Sequence, residues 1–64
     1  MNKIGEIIKS TRKQKELKQS ELGRSLTVSQ SYISRVECGD EMPTPMFIKL
    51  FCLLYSVEEG LFYE

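Results

Sequence analysis

The chain has 64 residues, with nine Lys or Arg, nine Asp or Glu, two Cys and no His, so its formal charge at neutral pH is zero. A chain this short makes one domain, residues 1–64, and buries only roughly 60% of the surface its unfolded form exposes. Two cysteines with no histidine and no Cys-x-x-Cys pair cannot begin a tetrahedral zinc site, and neither a metal nor another cofactor is expected.

From the N-terminus, Asn2 is suited to cap a first helix in which Ile4, Ile7 and Ile8, followed by Thr11, recur at helical spacing and which ends near Lys15. Leu17 begins a second stripe continued by Leu22 and Leu26, which predicts a short helix over about Gln19–Leu26. Ser29 is a good cap for a third helix with Ile33 and Val36 inward, and Gly39 falls just past its end, where a left-handed residue closes many helices. Met42-Pro43-Thr44-Pro45 reads as a loop entering a fourth helix, with Thr44 as cap and Pro45 in the first turn. Met46, Phe47, Leu50, Phe51, Leu53 and Leu54 make that helix apolar nearly all round, which places it at the centre of the core. A last short helix is expected from about Val57 to Phe62, bearing Val57, Leu61 and Phe62. No segment alternates with period two over a strand's length, and there is no repeat or linker. The expectation is an all-α domain of five helices around one core.

The longest apolar run, Leu50 to Tyr55, is too short to span a bilayer, and Met1 to Ile8 lacks the apolar core of a signal peptide. A cytoplasmic protein is therefore expected, with no membrane partner and with Cys38 and Cys52 as reduced, mostly buried, small hydrophobes. Without histidine, a phosphate-cradling glycine loop or a nucleophile beside a base, the chain does not read as an enzyme, and no small-molecule substrate is evident.

The charges are unevenly spread. Met1 to Val36 carries Lys3, Lys9, Arg12, Lys13, Lys15, Lys18, Arg24 and Arg35 against Glu6, Glu16 and Glu21, a balance of plus five, and the remainder carries minus five. Such a dipole points the first half toward a polyanion, although a solvated helix surface accounts for the same residues. The segment QSELGRSLTVSQSYISRV, Gln19 to Val36, describes two short helices joined by a tight turn. Gly23 supplies the small residue where they meet, Thr27 lies in the turn and Ile33 anchors the second helix. The face left over carries Gln30, Ser31, Ser34 and Arg35, which can hydrogen-bond base edges in a DNA major groove: glutamine with adenine, arginine with guanine, serine with either.

The spacing of Gln19, Gly23, Thr27, Ile33, Glu37 and Gly39 resembles the lambda-repressor/Cro (XRE-like) family of bacterial and phage DNA-binding domains, from Ile4 to Phe62, with SYISRVECG its most specific part. The resemblance implies a helix-turn-helix formed by helices two and three, with double-stranded DNA as partner. It implies base contacts from Gln30, Ser31 and Arg35, with Ser34 beside them, and a phosphate contact from Gln19; Ser29 and Thr44 are expected to contact phosphates as well, and Tyr32 can either reach a phosphate with its hydroxyl or cover the core with its ring. It also implies a structural pair, Arg12 with Glu37, tying helix one to the end of the recognition helix.

Several residues depart from the family pattern. Glu16 and Thr27 stand where glycine is common, and Lys18 replaces the usual Ser, Thr or Asn cap of helix two, so a domain of low stability is expected. Asp40 and Glu41 occupy a loop that often carries basic residues, which weakens general adhesion to DNA. Because one recognition helix reads few base pairs, a transcriptional repressor of this kind is expected to act as a homodimer, with Leu61, Phe62 and Tyr63 as an apolar patch for the second copy, although Leu61 and Phe62 serve equally well to finish the core. The alternative is a protein-interaction module, an antitoxin or an antagonist of another regulator, whose acidic second half binds a partner.

Overall fold

The computed structural model describes residues 3–62 and contains α1 (Lys3–Gln14), α2 (Gln19–Ser25), α3 (Gln30–Cys38), α4 (Pro45–Tyr55) and a final 3-10 turn, Glu59–Phe62. Helix starts follow the caps. The Oγ of Ser29 accepts from the Tyr32 amide and Oγ1 of Thr44 accepts from the Phe47 amide, each at 3.1 Å. Lys18 has no side-chain acceptor to offer at the start of α2; instead Glu21 reaches back and accepts from the Lys18 amide at 2.8 Å. That is one half of a reciprocal capping box. Asn2, the expected cap of α1, lies outside the described residues.

All four α-helices close in the same way. A left-handed residue follows each helix, and the next amide donates to a carbonyl five residues back: Leu17 to Arg12, Val28 to Gly23, Asp40 to Arg35 and Val57 to Cys52, at 2.8–3.1 Å. The left-handed residues are Glu16 (φ 56°), Thr27 (φ 62°), Gly39 (φ 86°) and Ser56 (φ 56°). Glycine occupies only one of them, so the other three carry a Cβ where the backbone disfavours it. The residues after those three are Leu17, Val28 and Val57, all half-buried. Burial of that apolar residue offsets part of the local strain.

The core contains Ile8, Leu22, Leu26, Ile33, Val36, Phe47, Ile48, Phe51, Cys52 and Phe62. Phe51 is its hub, stacked on Phe47 at 6.4 Å, tilted against Tyr55 at 5.3 Å and edge-on to Phe62 at 6.2 Å. Two close backbone approaches fix how α3 sits. A Cβ on Gly23 would lie 2.7 Å from the Val28 carbonyl oxygen, inside the turn between α2 and α3. A Cβ on Gly5 would lie 2.4 Å from the Val36 carbonyl oxygen, where α1 crosses α3. Gly5 escaped the sequence reading because it sits inside a helical stripe of isoleucines, where only packing distinguishes it from alanine.

Three expectations are corrected. The fifth element is a 3-10 turn and not an α-helix, so the α-helices number four among the described residues. The fourth helix is not buried all round: Phe47, Ile48, Phe51 and Cys52 face the core, while Met46 (67% exposed), Leu50, Leu53 (71%) and Leu54 face outward. A domain this small has no second layer to cover that side. Cys38 is exposed, because it stands on the outer side of the last turn of α3, whereas Cys52 is buried. Burial pushes the Cys52 thiol above its ordinary pKa, and the negative charge of Glu59 adds to the effect.

Candidate nucleic-acid interface

The recognition face is built from α3 outward. Ile33 and Val36 are completely buried and pin one side of the helix. Gln30, Ser31 and Arg35 are exposed on the other, with Ser34 half-buried beside them. The inward and outward sets follow from helical periodicity alone. Ser29 and Thr44 are exposed at the starts of α3 and α4. Their side-chain oxygens serve as caps, but their outer surfaces remain open to solvent.

Tyr32 is half-buried, its ring edge-on to Phe47 at 5.7 Å. The guanidinium carbon of Arg35 lies 6.0 Å from the centroid of that ring. The side chain of Arg35 also meets Glu41, with Nε 3.4 Å from Oε1. The sequence alone shows Glu41 only as a charge that repels phosphate, because the contact with Arg35 forms through space. The legible signal was Gly39, whose left-handed turn returns the chain toward Arg35.

Behind the face stands a polar joint. Nε and Nη2 of Arg12 donate to the two carboxylate oxygens of Glu37 at 2.7 and 3.1 Å, and Nη1 donates to the Leu17 carbonyl at 2.8 Å. Gln19 joins from α2, its Nε2 donating to Oε1 of Glu37 at 3.1 Å. Thus α1, α2 and α3 meet at one carboxylate. Gln19 spends one amide proton on this joint, which orients the side chain at the start of α2. A further bond ties α2 to α4, between Ser25 Oγ and Tyr55 Oη at 2.7 Å.

Of the apolar patch expected at the C-terminal end, Phe62 is not available to a second copy. Phe62 is 7% exposed and belongs to the core, since the 3-10 turn folds its ring onto Phe51. Leu61 is exposed, and Tyr63 lies outside the described residues. The large exposed hydrophobic residues cluster on α4 instead. Among the described residues no group of three or more His, Cys, Asp or Glu comes together as a metal site, and no helix is long and apolar enough to cross a membrane.

A glycine-pinned pair of short helices with a polar outer face defines a helix-turn-helix domain. The chain matches the helix-turn-helix domain family over residues 3–62 and belongs to it. It is 34% identical over 56 residues to the ImmF control region 10 kDa protein of Bacillus phage phi105, an alignment spanning 88% of this chain and 62% of that relative. This agrees with the resemblance to the lambda-repressor/Cro family of DNA-binding domains.

Proposed function

We propose that the protein is a sequence-specific double-stranded DNA-binding regulator, a transcriptional repressor of phage or bacterial type, that lays α3 in the major groove. The observation that carries the proposal is the outer face of α3. Gln30, Ser31, Ser34 and Arg35 stand on one side of a helix whose opposite side is fully buried, so the face is held rigidly and offers donors and acceptors to base edges. Gln19, Ser29, Thr44 and the Tyr32 hydroxyl flank it and contact phosphates. The phage relative is named for a control region, which supports a regulatory role.

The longest dimension of the domain is 27 Å, whereas equivalent half-sites repeat at about 34 Å along B-DNA. Two copies are therefore proposed to bind together as a homodimer. The surface suited to the second copy is the outer face of α4, where Met46, Leu50, Leu53 and Leu54 form a continuous apolar stripe. Lys49 borders the stripe on α4, and Glu58 and Glu59, both exposed, follow its C-terminal end. Opposite charges at the margin of an apolar stripe suit the pairing of two identical copies, in which the same surface meets itself.

Selecting bound sequences from a random DNA pool at fixed salt tests the reading directly. The expected result is a two-fold repeated motif, lost when Gln30 and Arg35 are both replaced by alanine. Failure to enrich any sequence would overturn it.

A further inference from the structure

Arg35 is engaged on two sides in the unbound protein. Its Nε faces Oε1 of Glu41 at 3.4 Å, and its guanidinium lies near the Tyr32 ring, which Phe47 holds edge-on from behind. Glu41 is brought there by the closure of α3. The amides of Asp40 and Glu41 both donate to the Arg35 carbonyl, at 2.9 and 3.2 Å. Residue 41 thus meets residue 35 through backbone and side chain together. Both side chains remain about half exposed (50% and 41%), so the pair contributes little to stability. Its effect lies in where the guanidinium points.

We infer that Glu41 is a positioning residue for base readout: it occupies the Nε edge of Arg35 and leaves the terminal Nη groups to address a guanine instead of the DNA backbone. The inference rests on the reading that Arg35 faces base edges. A guanidinium presents five N–H donors in a planar fork. With Nε occupied by a carboxylate, the remaining donors sit on the Nη groups, which can bond the O6 and N7 of guanine as a pair. An unrestrained arginine beside a polyanion has phosphate oxygens as an equally accessible destination. A carboxylate at the Nε edge repels phosphate and offsets the guanidinium charge, which disfavours that destination. The side chain is also partly ordered before binding, so less freedom is lost on contact. The acid therefore trades general adhesion for discrimination.

The test compares the wild-type chain with Glu41→Gln, Asp40→Asn and Arg35→Ala, each measured at one salt concentration against the selected site, against that site with every other base at the position where Arg35→Ala loses its preference, and against unrelated DNA. Wild-type protein is expected to discriminate roughly 5- to 150-fold at that position, the span of one good bidentate contact. Glu41→Gln is expected to lower that discrimination by about threefold or more while binding unrelated DNA more tightly. Asp40→Asn removes the same charge one residue away and is expected to tighten unrelated binding with discrimination unchanged. Glu41→Ala, which removes the acceptor oxygen as well as the charge, should repeat the Glu41→Gln result, and thermal melts of all variants establish that each is folded. Equal discrimination by Glu41→Gln and wild type overturns the inference, as does an equal loss in Asp40→Asn. Arg35→Ala leaving every base preference intact overturns the underlying reading of Arg35, and no variant of Glu41 is needed to see it.

Discussion

Replacing Arg12 with alanine removes the cation from the joint where three helices meet. Arg12 and Glu37 are 12% and 2% exposed, and the arginine makes three hydrogen bonds there, two to the carboxylate and one to the Leu17 carbonyl. After the substitution Glu37 keeps only the Gln19 amide, and a nearly dry carboxylate with one neutral donor is a poor arrangement. Breaking such a pair from one side costs roughly 3–5 kcal/mol. At ~0.05–0.15 kcal/mol per residue, a domain of this size holds on the order of 3–10 kcal/mol in total, so the loss removes a third or more of it. With roughly 4–8 °C per kcal/mol for a small domain, the melting temperature should fall by on the order of 12–40 °C. Helical circular dichroism followed through heating and through denaturant reads this directly. The double substitution Arg12→Met with Glu37→Leu should recover much of the stability, because neither charge is then left alone. A single Arg12→Ala variant melting within about 5 °C of wild type would refute the reasoning.

Thr27→Gly should raise stability by about 1 kcal/mol, since it relieves a β-branched residue at φ 62°; a lower melting temperature would mean that the turn tolerates threonine by another route. Lys18→Ser should add roughly 0.5–2 kcal/mol by supplying the missing side-chain cap of α2, and the same melt checks it. Under native conditions a thiol reagent should label the exposed Cys38 readily and Cys52 only as the chain unfolds, because burial and the charge of Glu59 hold the Cys52 pKa up and keep it protonated at neutral pH. Leu53→Glu should shift the sedimenting species toward monomer and weaken operator binding while leaving the melt of the monomer in place, since Leu53 is 71% exposed; unchanged association would exclude the α4 face.

Much of the fold is readable from local chemistry. Ser29, Thr44 and Gly39 are cap and closure residues whose roles depend on their immediate neighbours, and the alternation of Ile33 and Val36 with Gln30, Ser31 and Arg35 fixes which side of α3 is outward. What escaped depends on distance through space. A helix apolar nearly all round, such as α4, looks central, but nothing in its own residues tells whether a second layer exists to cover both faces. Phe62 reads equally as core or surface until Phe51 is placed beneath it. Gly5 matters because of a carbonyl on α3, thirty or so positions away. Glu41 looked like a charge facing phosphate because its contact with Arg35 exists only after Gly39 has reversed the chain.

The three helix closures at Glu16, Thr27 and Ser56 bear on how long a molecule of this protein lasts. At about 1 kcal/mol of backbone strain each, they claim an appreciable part of a folding free energy on the order of 3–10 kcal/mol, and the population of opened chains rises accordingly. Proteases act on opened chains, so abundance changes several-fold with each 1–2 kcal/mol. A chain strained in this way is expected to be cut faster in limited proteolysis than a variant with glycine at all three corners. Glycine at those corners is expected to slow that cleavage without altering any residue of the α3 outer face, so resistance to proteolysis and the chemistry of that face can be varied separately.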